Sequence, residues 1–237
     1  MKKAIIIGAS SGIGNELAKI LVQNGYQLGI TARRLSELER LQQSHPKRYI
    51  LSAFDCSTTD NTAKLSELTD QLGGLDLLIV GAGTGDLNKD LNLTIEQKTN
   101  QLNVLAFTEI VGWAINFFQQ QGKGHLVAIS SIAGIRGNRM APAYNASKAY
   151  QINYLEGLRQ KATKSKHPIY ITDIRPGFVD TDMAKGDGQF WVASKEKAAQ
   201  QIYMSIQRKK RVVYVSKRWW IIAYLLRLIP NTIYAQM

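Results

Sequence analysis

Short apolar runs alternate with longer amphipathic stretches along most of this chain, and no other feature limits the fold as strongly. The apolar runs are rich in β-branched residues and predict strands at Lys3–Ile7, Gln27–Thr31, Tyr49–Ala53, Leu75–Val80, His125–Ser130, Ile169–Ile174 and Arg211–Val215. The stretches between them have helical periodicity, at Gly12–Asn24, Ser36–Gln43, Thr58–Leu72, Thr94–Gln120, Ala141–Lys164 and Lys195–Gln207. This alternation predicts an α/β fold, a doubly wound parallel sheet of about seven strands with helices on both faces.

Length and charge narrow the class of protein further. The 237 residues contain no repeat, low-complexity tract or linker, so we expect a single domain over residues 1–237. The lone cysteine, Cys56, cannot form an intramolecular disulfide, and the first apolar run is too short for a signal peptide, which favours a cytoplasmic location. The net charge of +12 comes from scattered basic residues without a nucleic-acid motif. We expect no nucleic-acid partner and no metal; a solvated basic surface and an anionic membrane surface both stay open.

A glycine-rich turn, Gly8-Ala9-Ser10-Ser11-Gly12-Ile13-Gly14, follows the first predicted strand and opens the first predicted helix. Gly8 permits a tight turn, Gly12 lets the backbone approach a pyrophosphate, and Gly14 allows close packing of helix on strand. The N–H groups and the dipole at the start of the helix favour an anion. The turn predicts a Rossmann-like dinucleotide site whose cofactor-binding residues are Gly8, Ser10, Ser11, Gly12, Ile13 and Gly14.

Two alternatives to a dinucleotide site stay open at this turn. Residues 8–12 also fit G-x-S-x-G, the nucleophile elbow of α/β-hydrolases, although that elbow normally follows several strands rather than the first. A hydrolase would need a later acid and a histidine base, and nothing marks His125 or His167 for that role. The other alternative is a glycine turn without any ligand.

The end of the second strand bears on which nucleotide would bind. An NAD site usually has Asp or Glu there to hold the ribose 2′-hydroxyl, whereas an NADP site has Arg near the 2′-phosphate. Here Ala32 is followed by Arg33 and Arg34, and a guanidinium can bind a phosphate bidentately. The sequence therefore favours NADP(H), with NAD(H) as the alternative, and Arg33 over Arg34 as the anchor. Asp55 and Cys56 follow the third strand, where we expect them beside the adenine.

A tyrosine and a lysine four residues apart, Tyr144 and Lys148, share one face of a predicted helix. Free tyrosine has a pKa of about 10, which is too high for efficient proton transfer near neutrality, and a nearby ammonium lowers it. Such a tyrosine can act as a general acid or base. The pair alone is common on protein surfaces, and Ser131 at the end of the fifth strand gives it a context.

In this order and spacing, the chain resembles the classical short-chain dehydrogenase/reductase family. The residues that carry the resemblance are Gly8, Gly12, Gly14, Asn103, Ser131, Tyr144, Lys148, Pro176, Gly177 and Thr181. Ser131 is preferred to Ser130 because its separation from Tyr144 matches the family. The resemblance implies an oxidoreductase that interconverts a carbonyl and an alcohol on a small-molecule substrate, and a homodimer or homotetramer.

The resemblance also implies roles for single residues. Tyr144 would exchange a proton with the substrate oxygen, and Ser131 would hydrogen-bond it. Lys148 would tune Tyr144 and bind the nicotinamide ribose, while Asn103 would hold a water that links Lys148 to solvent. The residues expected beside the nicotinamide are Pro176, Gly177, Val179 and Thr181.

One departure from the family lies after the fourth strand, where Gly81-Ala82-Gly83 stands in place of Asn-Ala-Gly. These residues can still approach the adenine ribose, so we expect a modest loss of stability rather than of activity.

Two segments near the C-terminus are expected to shape the substrate site. Residues 181–193 predict a mobile substrate loop, and residues 217–230 predict an apolar helix too short to cross a bilayer. Its two tryptophans beside basic residues suit a helix in a membrane interface, and packing on a partner subunit or over the substrate pocket is the alternative. Either case favours a hydrophobic or lipid-like substrate.

Overall fold

The computed structural model describes residues 1–183 and 188–236, and these residues confirm the predicted α/β class. Seven parallel strands form one sheet in the order β3-β2-β1-β4-β5-β6-β7. The strands are β1 Lys3–Ile7, β2 Gln27–Ala32, β3 Tyr49–Ala53, β4 Leu77–Val80, β5 Gly124–Ile129, β6 Ile169–Pro176 and β7 Val212–Val215.

Helices fill the connections between the strands. They are α1 Gly12–Gln23, α2 Leu35–Gln42, α3 Asn61–Leu72, α4 Leu93–Asn100, α5 Phe107–Gln121, α6 Pro142–Thr163, α7 Lys195–Gln207, α8 Trp219–Leu228 and α9 Asn231–Tyr234. A π-helical segment, Gln101–Ala106, joins α4 to α5, so the predicted helix Thr94–Gln120 is one run with a change of register inside it. A 3-10 turn, Ile132–Ile135, follows β5.

The core lies on both faces of the sheet, as a buried parallel sheet requires. Successive residues of β1 alternate between the two sides: Ala4 and Ile6 pack under α1, α2 and α7, while Ile5 and Ile7 pack under α3, α5 and α6. Because β1 is apolar on both sides, its sequence is a continuous hydrophobic run rather than an alternating one.

The chain runs outward from β1 to β3 and then returns to place β4 on the other side of β1. Ligands of such sheets bind at this reversal, outside the carboxyl ends of the strands. The glycine turn follows β1, and the other predicted site segments follow β2 to β6. No helix among the described residues is long and apolar enough to span a bilayer. Of the predicted substrate loop 181–193, residues 184–187 lie outside the described residues.

Candidate active site

The glycine turn after β1 requires glycine for its own packing. Gly8 has a φ of +90°, and a Cβ atom there would lie 2.7 Å from the Ala82 nitrogen. A Cβ on Gly14 would lie 2.1 Å from the Gly8 oxygen, so α1 can approach the turn only without a side chain. Ser11, the N-cap residue of α1, makes no side-chain capping bond within the described part of the chain, and the first turn of α1 carries no acid. The start of α1 therefore suits the phosphates of a dinucleotide.

Two exposed arginines lie beside this turn. Arg34 donates to the Ser10 hydroxyl at 3.4 Å, and Arg33 lies 3.9 Å from the Asp55 carboxylate. Asp55 also accepts from the Ser57 backbone at 2.9 Å and from its hydroxyl at 2.6 Å. Burial acts to raise the pKa of Asp55, but these hydrogen bonds and Arg33 outweigh it and hold the pKa below its usual value. The two guanidinium groups form a cationic rim on the glycine turn.

Cys56, which follows Asp55, has a half-buried thiol. Burial and the neighbouring Asp55 raise the pKa of its thiol to about 11, so it stays protonated at neutral pH.

The segment after β4 packs against the tyrosine–lysine pair. Gly81 donates its N–H to the Ile7 oxygen at 2.8 Å, which ties the segment to the end of β1. A Cβ on Gly83 would lie 3.5 Å from Lys148 Nζ, and one on Gly85 would lie 2.5 Å from the Tyr144 ring. The sequence prediction did not include Gly85, because a glycine in a loop carries no local sign of the ring that packs on it.

Tyr144 and Lys148 lie on the first turns of α6, and Ser131 lies at the end of β5, where its hydroxyl caps the 3-10 turn by accepting from the Ala133 N–H at 3.1 Å. Lys148 Nζ is 5.8 Å from the centroid of the Tyr144 ring. Burial raises the pKa of Tyr144, and a hydrogen bond with Ser131 offsets part of the rise. Burial lowers the pKa of Lys148 to about 8, against the attraction of Asp173. The structure thus brings Ser131, Tyr144 and Lys148 together.

Asn103 lies in the π-helical segment and is fully buried. Its side-chain amide donates to the Thr84 oxygen at 2.7 Å and to the Ser147 hydroxyl at 3.0 Å, and its side-chain oxygen accepts from the Thr84 N–H at 3.0 Å. The main-chain oxygen of Asn103 accepts from Gln151 Nε2 at 2.8 Å. A π-helical turn often marks a functional site, and here it anchors the loop after β4 to α6.

Asn145 is a further residue of this site that the sequence analysis treated only as a spacer. Its amide donates to the Ala133 and Arg136 carbonyls at 2.8 and 2.9 Å, and so fixes the turn after Ser131 to α6. The signal was present as a polar residue between Tyr144 and Lys148, but its partners are 9 and 12 residues away and cannot be read from spacing.

Ser130 has a different environment from its neighbour. Its hydroxyl donates to the Asp173 carboxylate, which also receives Arg175 Nε at 2.7 Å in a buried ion pair. Ser130 therefore bonds to groups of β6, whereas Ser131 bonds to Tyr144; the catalytic role of Ser131 stays a prediction.

Residues Pro176–Thr181 lead from the end of β6 towards α8 and back to the glycine turn. A Cβ on Gly177 would lie 2.0 Å from the Trp219 ring, and the Thr181 methyl lies 3.1 Å from the position of a Cβ on Gly12. Trp219 packs on Phe178 with ring centroids 5.4 Å apart. Buried Val179 pairs with Ala193 in an isolated β-bridge. The buried side of α8 therefore covers the segment that the sequence analysis expected beside the nicotinamide.

The hydrolase alternative finds no support in the position of either His125 or His167. His125 is the second residue of β5, at the amino end of the sheet and therefore at the other edge from Gly8, and its ring nitrogen hydrogen-bonds the Thr172 hydroxyl at 2.8 Å. Burial, with Lys209 nearby, lowers the pKa of His125 to about 4. His167 lies against Gly122, where α5 ends, again at the amino end of β5. Within residues 1–183 and 188–236, no group of His, Cys, Asp and Glu could hold a metal ion.

Comparisons with solved structures agree with this fold. A short-chain dehydrogenase from Sphingobium yanoikuyae, solved in complex with NADPH, matches with a TM-score of 0.82 and 22% identity over 98% of this chain and 97% of that one. A short-chain dehydrogenase/reductase from Burkholderia phymatum, solved in complex with NAD, matches with a TM-score of 0.81 and 19% identity over 94% and 92%. At these identities the likeness establishes the fold.

Sequence relatives establish the family. An uncharacterised oxidoreductase of Mycobacterium tuberculosis is 32% identical over 237 residues, covering 96% of this chain and 92% of that protein. The 3-oxoacyl-acyl-carrier-protein reductase of Rattus norvegicus is 32% identical over 193 residues, covering 78% of each. The family model described as short chain dehydrogenase matches residues 2–190. The chain therefore belongs to the short-chain dehydrogenase family of oxidoreductases.

Proposed function

We propose that this chain is an NADP(H)-dependent oxidoreductase that interconverts a carbonyl and an alcohol. The observation that carries the proposal is the grouping of Ser131, Tyr144 and Lys148, with the last two packed against the segment after β4 that also borders the glycine turn. When bound, the nicotinamide cofactor supplies the hydride in reduction and accepts it in oxidation. Residues from the ends of several strands would then serve mainly to hold donor and acceptor in line.

The chain's own residues account for the proton. In the direction of reduction, the carbonyl carbon gains the hydride while the Tyr144 hydroxyl gives its proton to the carbonyl oxygen, leaving a phenolate. Ser131 donates a hydrogen bond to that oxygen and keeps it within reach of Tyr144. The Lys148 ammonium stabilises the phenolate, and with a pKa of about 8 it is charged at neutral pH. In the direction of oxidation the same groups act in reverse.

The preference for NADP(H) is supported by the cationic rim formed by Arg33 and Arg34. Arg34 contacts Ser10 of the glycine turn, and the nearby Asp55 carboxylate is already engaged by Ser57 and Arg33. A 2′-phosphate would gain ion pairs and bidentate hydrogen bonds with the guanidinium groups, whereas a ribose 2′-hydroxyl carries no charge and would gain much less. Relatives of this fold have been solved with NADPH and with NAD, so the rim, not the fold, carries the proposed preference.

The proposal is tested by NADPH oxidation with a panel of ketones, aldehydes and quinones, repeated with NADH and with a Tyr144→Phe variant. We expect turnover that prefers NADPH and falls about 10²- to 10⁴-fold in the variant, because phenylalanine has no proton to give. NADPH binding, followed by fluorescence titration, should be the same in both proteins. Loss of turnover with equal binding supports the proposal. A variant that still turns over would place the acid elsewhere, and a wild-type protein that does not bind NADPH would overturn the proposal.

A membrane surface is the partner that the outer face of α8 supports best. Trp219 and Ala223 are the residues of α8 that are buried, and the opposite face exposes large apolar side chains, namely Trp220, Ile221, Tyr224, Leu225 and Leu228. Residues 208–237 carry seven basic residues and no acidic one. Exposed apolar residues beside basic ones suit the boundary of an anionic bilayer. We therefore propose peripheral membrane contact through residues 217–230 and a hydrophobic or lipid-like substrate.

Three further expectations complete the proposal. The chain would form a single NAD(P)-binding domain over residues 1–237, assemble as a homodimer or homotetramer, and reside in the cytoplasm in association with a membrane. Light scattering of the purified protein, with and without detergent, measures the oligomeric state directly, and a monomer under both conditions would exclude the oligomer.

A further inference from the structure

A glutamine lies beneath the tyrosine–lysine pair and is almost fully buried. Gln151 is three residues after Lys148 on α6 and is 1% exposed. Its Oε1 accepts from Lys148 Nζ at 3.0 Å, and its Nε2 donates to the main-chain oxygen of Asn103 at 2.8 Å. The partners fix the orientation of the amide, because an ammonium only donates and a carbonyl oxygen only accepts. The amide therefore bridges the ammonium and the π-helical segment.

The acceptors around Lys148 are neutral. Besides Gln151 Oε1, its ammonium donates to the Ile129 carbonyl at 3.1 Å, at the end of β5. An ammonium has three N–H donors, so these two bonds hold it in place and leave one donor for a ligand. A neutral acceptor orients the ammonium without cancelling its charge, whereas a carboxylate at the same position would form an ion pair with it.

We propose that Gln151 is a positioning residue of the catalytic site: its amide links the Lys148 ammonium to the main-chain oxygen of Asn103 and fixes the position of the ammonium, while leaving its charge uncompensated for Tyr144. This inference rests on the proposed function, because it assigns the support of the same lysine. Within the protein, Lys148 is thus linked to Asn103 through the Gln151 side chain, whereas the family resemblance implied a link from Asn103 through a water.

Other charged groups near Lys148 have partners of their own. On β6, Asp173 attracts Lys148, but its carboxylate is already bonded by Arg175 and by Ser130 from the end of β5. On α6 itself, Tyr144 is the ionisable group that faces the ammonium. Gln151 contacts the ammonium directly through its side-chain oxygen. Substituting Gln151 should therefore change the pKa of Lys148 directly.

The test is the pKa of Lys148 in the cofactor-free protein, measured by NMR titration of lysines labelled with ¹³C at Cε and assigned with a Lys148→Arg variant. We compare wild type with Gln151→Glu, which is nearly isosteric, and Gln151→Met, which removes both hydrogen bonds. The control is Gln160→Met, an exposed glutamine on the same helix. We expect the pKa of Lys148 to rise by about 1 to 3 in Gln151→Glu, to fall in Gln151→Met, and to stay at the wild-type value in Gln160→Met.

The pH dependence of turnover adds a readout that a merely structural role would not move. In Gln151→Glu the ion pair should weaken the stabilisation of the Tyr144 phenolate, so the rise of alcohol oxidation with pH should move to higher pH. An unchanged Lys148 pKa in both folded Gln151 variants would overturn the inference even if the enzyme is active. Because the titration needs neither cofactor nor substrate, a failure of the proposed reductase activity would leave that measurement intact and be recognised separately.

Discussion

Helices α6 and α8 both border the candidate site, and they place polar and apolar side chains in opposite ways. α6 buries four polar residues, Asn145, Ser147, Lys148 and Gln151, and each one is hydrogen-bonded. α8 leaves five large apolar side chains at the surface. Burying a polar group is tolerated only when it finds partners, and such networks fix one geometry. An exposed apolar face instead indicates a surface that meets something else. The site is thus bordered on one side by α6, whose buried polar side chains are fixed by hydrogen bonds, and on another by α8, whose exposed apolar face is suited to association.

The buried lysine gives the largest expected effect on stability. In the unfolded chain Lys148 has its ordinary pKa near 10.5, and burial lowers the pKa to about 8 in the folded protein. Between these values the unfolded chain binds more protons than the folded one, so stability rises as pH increases from 8. Relative to Lys148→Met, which cannot titrate there, the wild-type free energy of unfolding should gain about 2 to 3 kcal/mol between pH 7 and pH 10.

Urea denaturation of both proteins at four pH values measures this difference, with Lys161→Met, exposed on the same helix, as the control. Wild type and Lys161→Met should change in parallel. If wild type and Lys148→Met also change in parallel, burial on α6 does not hold the pKa of Lys148 below its ordinary value, and the prediction is wrong.

The second prediction concerns the attachment of the Ser131 turn to α6. Asn145→Leu removes two hydrogen bonds and leaves the Ala133 and Arg136 carbonyls without that donor, so we expect a loss of about 1–3 kcal/mol. Asn153→Leu, an exposed asparagine on the same helix, should stay within about 0.5 kcal/mol of wild type. Thermal and urea unfolding of the three proteins measure both effects. Equal stability of the two variants would show that the buried network of α6 does not hold the turn.

The sequence was sufficient where local pattern decides the structure. The strands β1 and β3 and the helix α7 have the predicted bounds. In each case the spacing of the apolar residues and the turn residues on either side are local features that determine where the element begins and ends. Other ends moved by two residues: β4 begins at Leu77 rather than Leu75, and β6 continues to Pro176. The glycine turn, the arginine rim and the tyrosine–lysine pair were all found by spacing. Their proposed roles stay predictions.

The parts that sequence missed depend on contacts between distant residues. The π-helical segment is such a case, because Asn103 within it bonds Thr84 and Ser147, which lie 19 and 44 residues away. Gln151 looked like one more polar residue of an amphipathic helix, and its bond to the Asn103 carbonyl spans 48 residues. The tail gave the opposite difficulty. The sequence shows that residues 217–230 are apolar. Which face of α8 is buried, however, depends on the contact between Trp219 and Gly177, which only the structure shows.

The smallest expected effect concerns the exposed apolar face of α8 and its binding to lipid vesicles. We predict that wild-type protein binds vesicles of phosphatidylcholine with phosphatidylglycerol more tightly than vesicles of phosphatidylcholine alone, and that added salt weakens the binding. A Trp220→Gln/Leu225→Gln variant should bind the mixed vesicles about tenfold more weakly, because two exposed apolar side chains no longer enter the bilayer boundary.

Co-sedimentation measures that binding, and NADPH titration of the same variant is the control, since neither residue belongs to the cofactor site. Unchanged NADPH affinity with weaker vesicle binding would assign the outer face of α8 to the membrane. If wild type ignores anionic vesicles while the variant loses an oligomer seen by light scattering, the face is a subunit interface. The contrast between the two helices would then hold, but the apolar face of α8 would be covered by protein instead of lipid.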